Sequence, residues 1–343
     1  MNEQWRTFLS DQGAEYDASG LITQVPEPVT SASASLYDLS WRSVLRITGA
    51  DAQDFLHGQF SNDVKALNGQ SSQLNSYANP KGRILALFRL LKGQGDFYLD
   101  CPAEVLPAFS KRLHMFVMRS DVQIASMDET HAMVGLSGEG APQALTEAGL
   151  AVPEAVEAIT VDPDSATIVA RLPGNQPRFT LLAPTETLSE HWHVLSPLAG
   201  LRPSVEWKHE QVMAGLPEVY TATTEAYVAQ MVNLQLTNGL SFKKGCFPGQ
   251  EVVARLQYLG KLKQRMYLYA CQGAEAAPGD SVFSEDTGMA VGDVVEIAKD
   301  RDGKQHCLLV LKTAAAEGGQ ALHLADPDGP LLTRCELPYA FED

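Results

Sequence analysis

The sequence predicts an α+β protein that ends in a small antiparallel β-barrel or sandwich. Two observations carry this. Before about residue 260, hydrophobic patterning alternates strand, helix, hairpin and helix, without the regular βαβ spacing of a parallel sheet. After Arg265 the texture changes to short apolar runs at 266–270, 281–283, 291–297, 307–311, 321–324 and 331–336. Turn clusters part them, at 277–280, 285–288, 300–303, 317–319 and 326–330. A third observation narrows the class. Neither a Gly-x-Gly-x-x-Gly nor a phosphate-loop motif occurs, which disfavours the nucleotide folds built on them.

In chain order, residues 1–30 read as a loosely ordered leader, with 17–35 rich in Ser, Ala, Pro and Thr. Residues 31–260 form the α+β region and 261–343 the barrel, with the boundary near 255–265. A strand is expected at 43–48. Gly49-Ala50-Asp51 opens an amphipathic helix, with Asp51 as N-cap and Phe55, Leu56 and Phe60 facing inward. Ser61-Asn62-Asp63 ends it or starts a second helix. A strand closes at 76–79, Pro80-Lys81-Gly82 turns, and 84–91 is an apolar strand. The turn at 93–96 joins it to Phe97-Tyr98-Leu99 as a hairpin. Helices are expected at 104–117, 141–149 and 186–195, strands at 122–125 and 133–136, and a hairpin at 167–172 and 178–183.

The chain has 343 residues, 45% hydrophobic and 20% charged, enough for two or three domains. Its apolar runs are too short to span a bilayer, and residues 1–20 lack the basic start and apolar core of a signal peptide. The expected location is the cytoplasm, with no membrane partner. Cys101, Cys246, Cys271, Cys307 and Cys335 are scattered and odd in number, which predicts reduced thiols. No Cys-x-x-Cys suggests a metal centre, so no metal is expected. His191 and His193 offer only a weak hint of one.

Net charge is −16, the wrong sign for broad nucleic-acid binding. That excludes DNA and disfavours direct contact with tRNA. The acid is unevenly spread. Between 243 and 265, six cations (Lys243, Lys244, Arg255, Lys261, Lys263, Arg265) face one acid, Glu251, a local +5. This stretch either forms a solvated helix face or meets an anionic ligand or partner.

Within it lies Lys244-Gly245-Cys246-Phe247-Pro248-Gly249-Gln250-Glu251. Gly245 removes side-chain cover before the cysteine, and Pro248-Gly249 forces a turn after it. The thiol is therefore expected on a turn. Lys244, helped by Lys243, would favour the thiolate, and a helix starting at about Gln250 would add its N-terminal dipole. Gln250 and Glu251 either cap that helix or hydrogen-bond the loop.

The octapeptide, preceded by Asn238-Gly239-Leu240-Ser241-Phe242-Lys243, resembles the signature of the YgfZ folate-binding proteins, relatives of the glycine-cleavage T-protein, an aminomethyltransferase. Other segments fit in the same order: 41–51 leading into Gln59-Phe60-Ser61-Asn62-Asp63-Val64, then Asn79-Pro80-Lys81-Gly82-Arg83, Ala214-Gly215-Leu216-Pro217 and Gln230-Met231-Val232-Asn233-Leu234. The likeness covers about residues 36–343. The octapeptide is highly specific, and the other pieces are weak alone.

The resemblance implies a three-lobed cloverleaf of two α+β lobes and a C-terminal antiparallel β-barrel, with tetrahydrofolate or a derivative as cofactor. It implies that Trp41 and Trp207 line the folate site, where an indole can stack on a pterin. Ordinary core packing is the competing reading for both. Lys243, Lys244 and Arg255 suit the anionic folate tail. Asn62, Asp63, Lys81 and Arg83 are further channel candidates, with helix-end capping the alternative role for Asp63. One departure matters. Where the T-protein has its catalytic acid, this chain has Ile84-Leu85-Ala86-Leu87, which holds no titratable group.

The expected function is therefore a tetrahydrofolate-binding accessory protein, not a conventional enzyme. It would support iron–sulfur cluster assembly or repair and, through iron–sulfur enzymes, tRNA modification, acting through Cys246. Its expected partners are iron–sulfur proteins or their assembly factors. The alternatives are a folate-dependent aminomethyl transferase and a protein- or RNA-docking module.

Overall fold

Helix Glu3–Asp11 opens the chain, and its Trp5 and Leu9, four residues apart on one face, are fully buried. Asn2 caps it by accepting the Trp5 amide, and the Trp5 indole donates to Asp38 Oδ1 at 2.9 Å. A short hairpin, Glu15–Tyr16 with Ile22–Gln24, follows. These residues are not the loose leader that composition suggests, because the spacing of Trp5 and Leu9 supplies a buried face. The computed structural model describes residues 2–25 and 32–341; residues 26–30 of the expected leader lie outside the described residues.

The chain divides into two units: Met1–Gln53, Lys65–Gln73 and Arg89–Trp207 in the first, and Asp54–Val64, Leu74–Phe88 and Lys208–Asp343 in the second. The boundaries fall inside the strands Ser72–Ala78 and Ile84–Gly93, the helices Ala52–Gln59 and Ser204–Met213, and the short helical turn Val64–Ala66. The division does not follow the expected boundary at 260/261. Two short early segments fold with the C-terminal half, and no linker composition marks them.

The first unit holds a six-stranded sheet in the order Ile159–Asp162, Thr167–Arg171, Arg178–Pro184, His131–Ser137, Ala34–Asp38, Ala199–Arg202. All neighbours are antiparallel except the last pair. Its core gathers Trp5, Leu36, Val134, Leu145, Phe179, Leu188 and Trp192 from sheet and helices. Nearby in sequence, Arg42–Thr48 pairs with Asp96–Pro102 and with Gln123–Ser126. Asp51 precedes the helix Ala52–Gln59, but its carboxylate accepts the Asp121 amide at 2.8 Å.

The second unit holds the C-terminal sheet, ordered Leu322–Leu324, Ser281–Ser284, Ala290–Lys299, Gln305–Lys312, Gln264–Cys271, Thr333–Cys335. Each of these strands overlaps one expected apolar run. The sheet is antiparallel and curls into a half-barrel over Tyr267, Val282, Val294, Leu309 and Leu324. Helix Gln250–Tyr258 starts where the octapeptide predicts it.

Candidate functional site

The cysteine turn is built by close backbone contact. Gly249 has φ +83° and stands directly before helix Gln250–Tyr258. A Cβ there would fall 2.6 Å from the Gly82 Cα and 2.9 Å from the Asn79 carbonyl oxygen. Only glycine lets the octapeptide seat on the Asn79–Gly82 turn. That second turn is itself set by Asn79, whose Oδ1 accepts the amides of Lys81 at 2.9 Å and Arg83 at 3.1 Å. Two of the sequence motifs are thus brought together.

Lys244 pins the other side. It is 8% exposed, and its ammonium donates to the carbonyls of His57 and Phe60 at the end of helix Ala52–Gln59. A helix end leaves such carbonyls without intrahelical partners, so a cation there is well placed. The ammonium also lies 4.9 Å from the centre of the Phe247 ring. Burial pulls its pKa down to about 8, against the pull of the Asp63 carboxylate. The hydrogen bonds of Lys244 are made at the helix end. Its observed part is to hold the turn, where the sequence suggested a cation tuning the thiol. Cys246, two residues on, is exposed.

Sequence reasoning missed His57. Its Nδ1 lies 3.2 Å from Asp63 Oδ1. Its Nε2 is 3.6 Å from where a Cβ on Gly245 would stand. Nothing local signals the approach to Gly245, because 187 residues separate His57 from Lys244, which holds its carbonyl. Asp63 faces His57.

The remaining second-unit candidates divide into structural and exposed groups. Asn62 is structural: its amide donates to the carbonyls of Leu74 and Asn238, and its Oδ1 accepts the Asp63 amide at 2.8 Å. Arg83 donates to the Ala226 carbonyl at 2.6 Å. Lys81, Lys243, Arg255, Lys261 and Lys263 are exposed, whereas Arg265 stacks on Phe341. Helix Gln250–Tyr258 has no side-chain cap; Glu251 is exposed and Gln250 half-buried in its first turn.

Trp41 and Trp207 belong to the first unit. Trp207 is 1% exposed. The guanidinium of the fully buried Arg178 lies 4.0 Å from its ring centre, Tyr37 is at 5.4 Å, and Gly135 is close enough that any Cβ would strike the indole. That is core packing. Trp41 is 7% exposed, with the Arg42 guanidinium 5.0 Å from its ring centre. In the stretch where the T-protein acid would stand, Ile84, Ala86 and Leu87 are buried strand residues. A concavity of about 710 Å³, lined by Tyr267, Leu268, Arg334, Cys335 and 336–341, contains none of the predicted site residues.

A cysteine pair also escaped the sequence reading. Cys271 and Cys307 lie on paired strands of the half-barrel; the Cys307 thiol donates to the Tyr269 carbonyl at 3.6 Å, and the neighbouring Cys271 together with burial pushes the Cys307 thiol well up.

Known proteins match this chain along nearly its whole length. The tRNA-modifying protein YgfZ of Colwellia psychrerythraea is 27% identical over 321 residues, 92% of this chain and 96% of that one. The protein of the same name from Yersinia enterocolitica is 28% identical over 332 residues, 96% and 98% of the two chains. The chain is similar to proteins named YgfZ along nearly its whole length. No family model matches it. Among solved structures, the aminomethyltransferase T of the glycine cleavage system from Bartonella henselae superposes with a TM-score of 0.78 at 16% identity, covering 97% of this chain and 96% of that one. The fold shared with this structure is the α+β fold that the YgfZ resemblance implied. Among the described residues, no helix is long and apolar enough to cross a membrane.

Proposed function

We propose that this chain binds tetrahydrofolate or a derivative, and uses Cys246 to support the iron–sulfur enzymes that modify tRNA. The turn carries this reading: an exposed thiol on a backbone fixed by the buried Lys244 and by Gly249 packed on Gly82. A structural cysteine would be buried, as Cys101, Cys271 and Cys307 are. The names of the YgfZ relatives, tRNA-modifying proteins, support the destination of the chemistry. The T-protein fold supports the folate. Lys243 and Arg255, exposed cations, suit its anionic tail. A single thiolate serves in transient ligand exchange at iron, with iron–sulfur proteins or their assembly factors as partners. The net charge of −16 argues against tRNA itself as the bound partner. Aminomethyl transfer is disfavoured by the apolar, buried strand residues Ile84, Ala86 and Leu87.

The test is a titration with tetrahydrofolate followed by Trp fluorescence. The wild-type chain and Cys246→Ala should both show saturable quenching, and Trp41→Ala a changed response. Absence of binding by the wild-type chain contradicts the cofactor. Cells carrying Cys246→Ala in place of the wild-type chain should lose tRNA modification, and unchanged modification contradicts the thiol.

A further inference from the structure

Resting on Cys246 as the working group, we propose that Tyr258, Leu259, Lys261 and Lys263 form the docking surface for the protein that Cys246 serves. The surface takes an acidic segment of that partner, with apolar side chains among its carboxylates. Tyr258 and Leu259, where helix Gln250–Tyr258 ends, are 70% and 86% exposed. Two large apolar side chains standing together in water mark an interaction site more than a single one does. Lys261 and Lys263 follow directly and are exposed. No acid occurs between Glu251 and Glu275, in a chain whose net charge is −16. The segment is also fixed: the Leu262 carbonyl accepts the Thr313 hydroxyl at 3.2 Å, and the Lys263 carbonyl accepts the Thr313 amide at 2.9 Å. Little backbone freedom is therefore left to lose on binding.

Position links this surface to the thiol. The Tyr258 ring meets the Phe242 ring edge-on, with centres 6.4 Å apart, and Phe242 stands four residues before Cys246. The same helix begins at the cysteine turn, about 12 Å from its far end. A segment held at Tyr258 and Leu259 thus lies beside the exposed Cys246. Charge selects the class of partner. A membrane or an RNA is an extended polyanion and would meet the acid-rich remainder of the chain as well. A short acidic segment feels charges within about 8 Å at physiological salt. From Arg255 to Arg265 the chain carries only cations. The apolar pair supplies the hold, and the lysines set orientation and speed the encounter. Lys243 and Arg255 stay with the folate tail.

The experiment is fluorescence anisotropy of short labelled peptides titrated with the full chain at low salt. One peptide alternates glutamate with leucine and phenylalanine. A second has lysine for each glutamate, and a third has serine for each leucine and phenylalanine. The first should bind about tenfold more tightly than either control. Leu259→Ser should weaken it about tenfold, as should Lys261→Glu combined with Lys263→Glu. Lys261→Arg combined with Lys263→Arg should keep the wild-type affinity, because the charge is retained. These side chains are exposed, so the variants keep the fold. No binding of the first peptide, equal binding of the controls, or wild-type affinity in Leu259→Ser and the double glutamate variant overturns the proposal. Phosphatidylglycerol vesicles and polyuridylate are titrated alongside. If either binds through these residues and the acidic peptide does not, the surface serves a membrane or an RNA, and the proposal fails. The titration needs neither the thiol nor folate, and Cys246→Ala should bind the peptide as the wild-type chain does. Failure of the peptide to bind therefore leaves the Cys246 reading standing. Unchanged tRNA modification with Cys246→Ala removes the thiol reading whatever the peptide does.

Discussion

Two buried cations anchor two regions of this molecule, and they do opposite things. Arg178, fully buried, lies over Trp207 and donates to the carbonyls of Pro173 and Trp207, each at 3.4 Å. Tyr37 and Gly135 complete the enclosure. Lys244, nearly as buried, also spends its donors on carbonyls, yet the thiol two residues away is open to solvent. Both solve the same problem, since a buried cation must be surrounded by carbonyls or aromatic faces. The difference lies in the glycines. Gly135 admits an aromatic ring and closes a core, whereas Gly245 and Gly249 keep a turn bare and seated. Burial of a charged side chain therefore does not by itself mark a functional residue.

Four substitutions can break or sharpen this comparison. Trp207→Ala has the largest expected effect, a loss of about 3–5 kcal/mol in urea unfolding, because it empties the space under Arg178. A loss under about 1 kcal/mol would mean that the indole is not the core residue described. Gly249→Ala should cost about 2–3 kcal/mol by the same assay, since it combines φ +83° with a 2.6 Å approach to Gly82. An unchanged midpoint would show that the two turns are not seated together.

Lys244→Met should cost about 1 kcal/mol near neutral pH by leaving the His57 and Phe60 carbonyls without their donor. Its pH dependence carries a sign. The folded-state pKa of about 8 lies below the ordinary 10.5, so between these values the unfolded chain holds a proton that the folded chain has lost. Stability contributed by this group therefore rises with pH across that window. The gap between wild-type and Lys244→Met should widen from pH 8 to 10.5 in denaturant titrations, and a constant gap would contradict the burial of the ammonium. Lys243→Gln, at an exposed site, should stay within about 0.5 kcal/mol of wild type. It should nevertheless weaken tetrahydrofolate in the fluorescence titration; an unchanged affinity would remove Lys243 from the folate tail.

The same contrast shows what a sequence can reveal. The half-barrel strands were legible because each run is short, apolar and bounded by turns. Helix Gln250–Tyr258 was legible because Pro248-Gly249 fixes its start. Helix Glu3–Asp11 was hidden by the attention its acids and the Ser/Pro-rich stretch draw; its two buried positions, Trp5 and Leu9, carry the signal. Trp207 was read for what an indole can do, but its burial depends on Arg178 and Gly135, which lie far away in sequence. His57 had only a weak signal, its nearness in sequence to Asp63. Its approach to Gly245 is made by folding, and a single histidine near a helix end carries none of that alone.

The central claim is that an exposed, fixed Cys246 is the working group of this chain. The most direct measurement is tRNA modification in cells that lack their own YgfZ and carry either the wild-type chain or Cys246→Ala at equal abundance. Restoration by the wild-type chain and loss with Cys246→Ala is the predicted result. Full restoration by Cys246→Ala would contradict it.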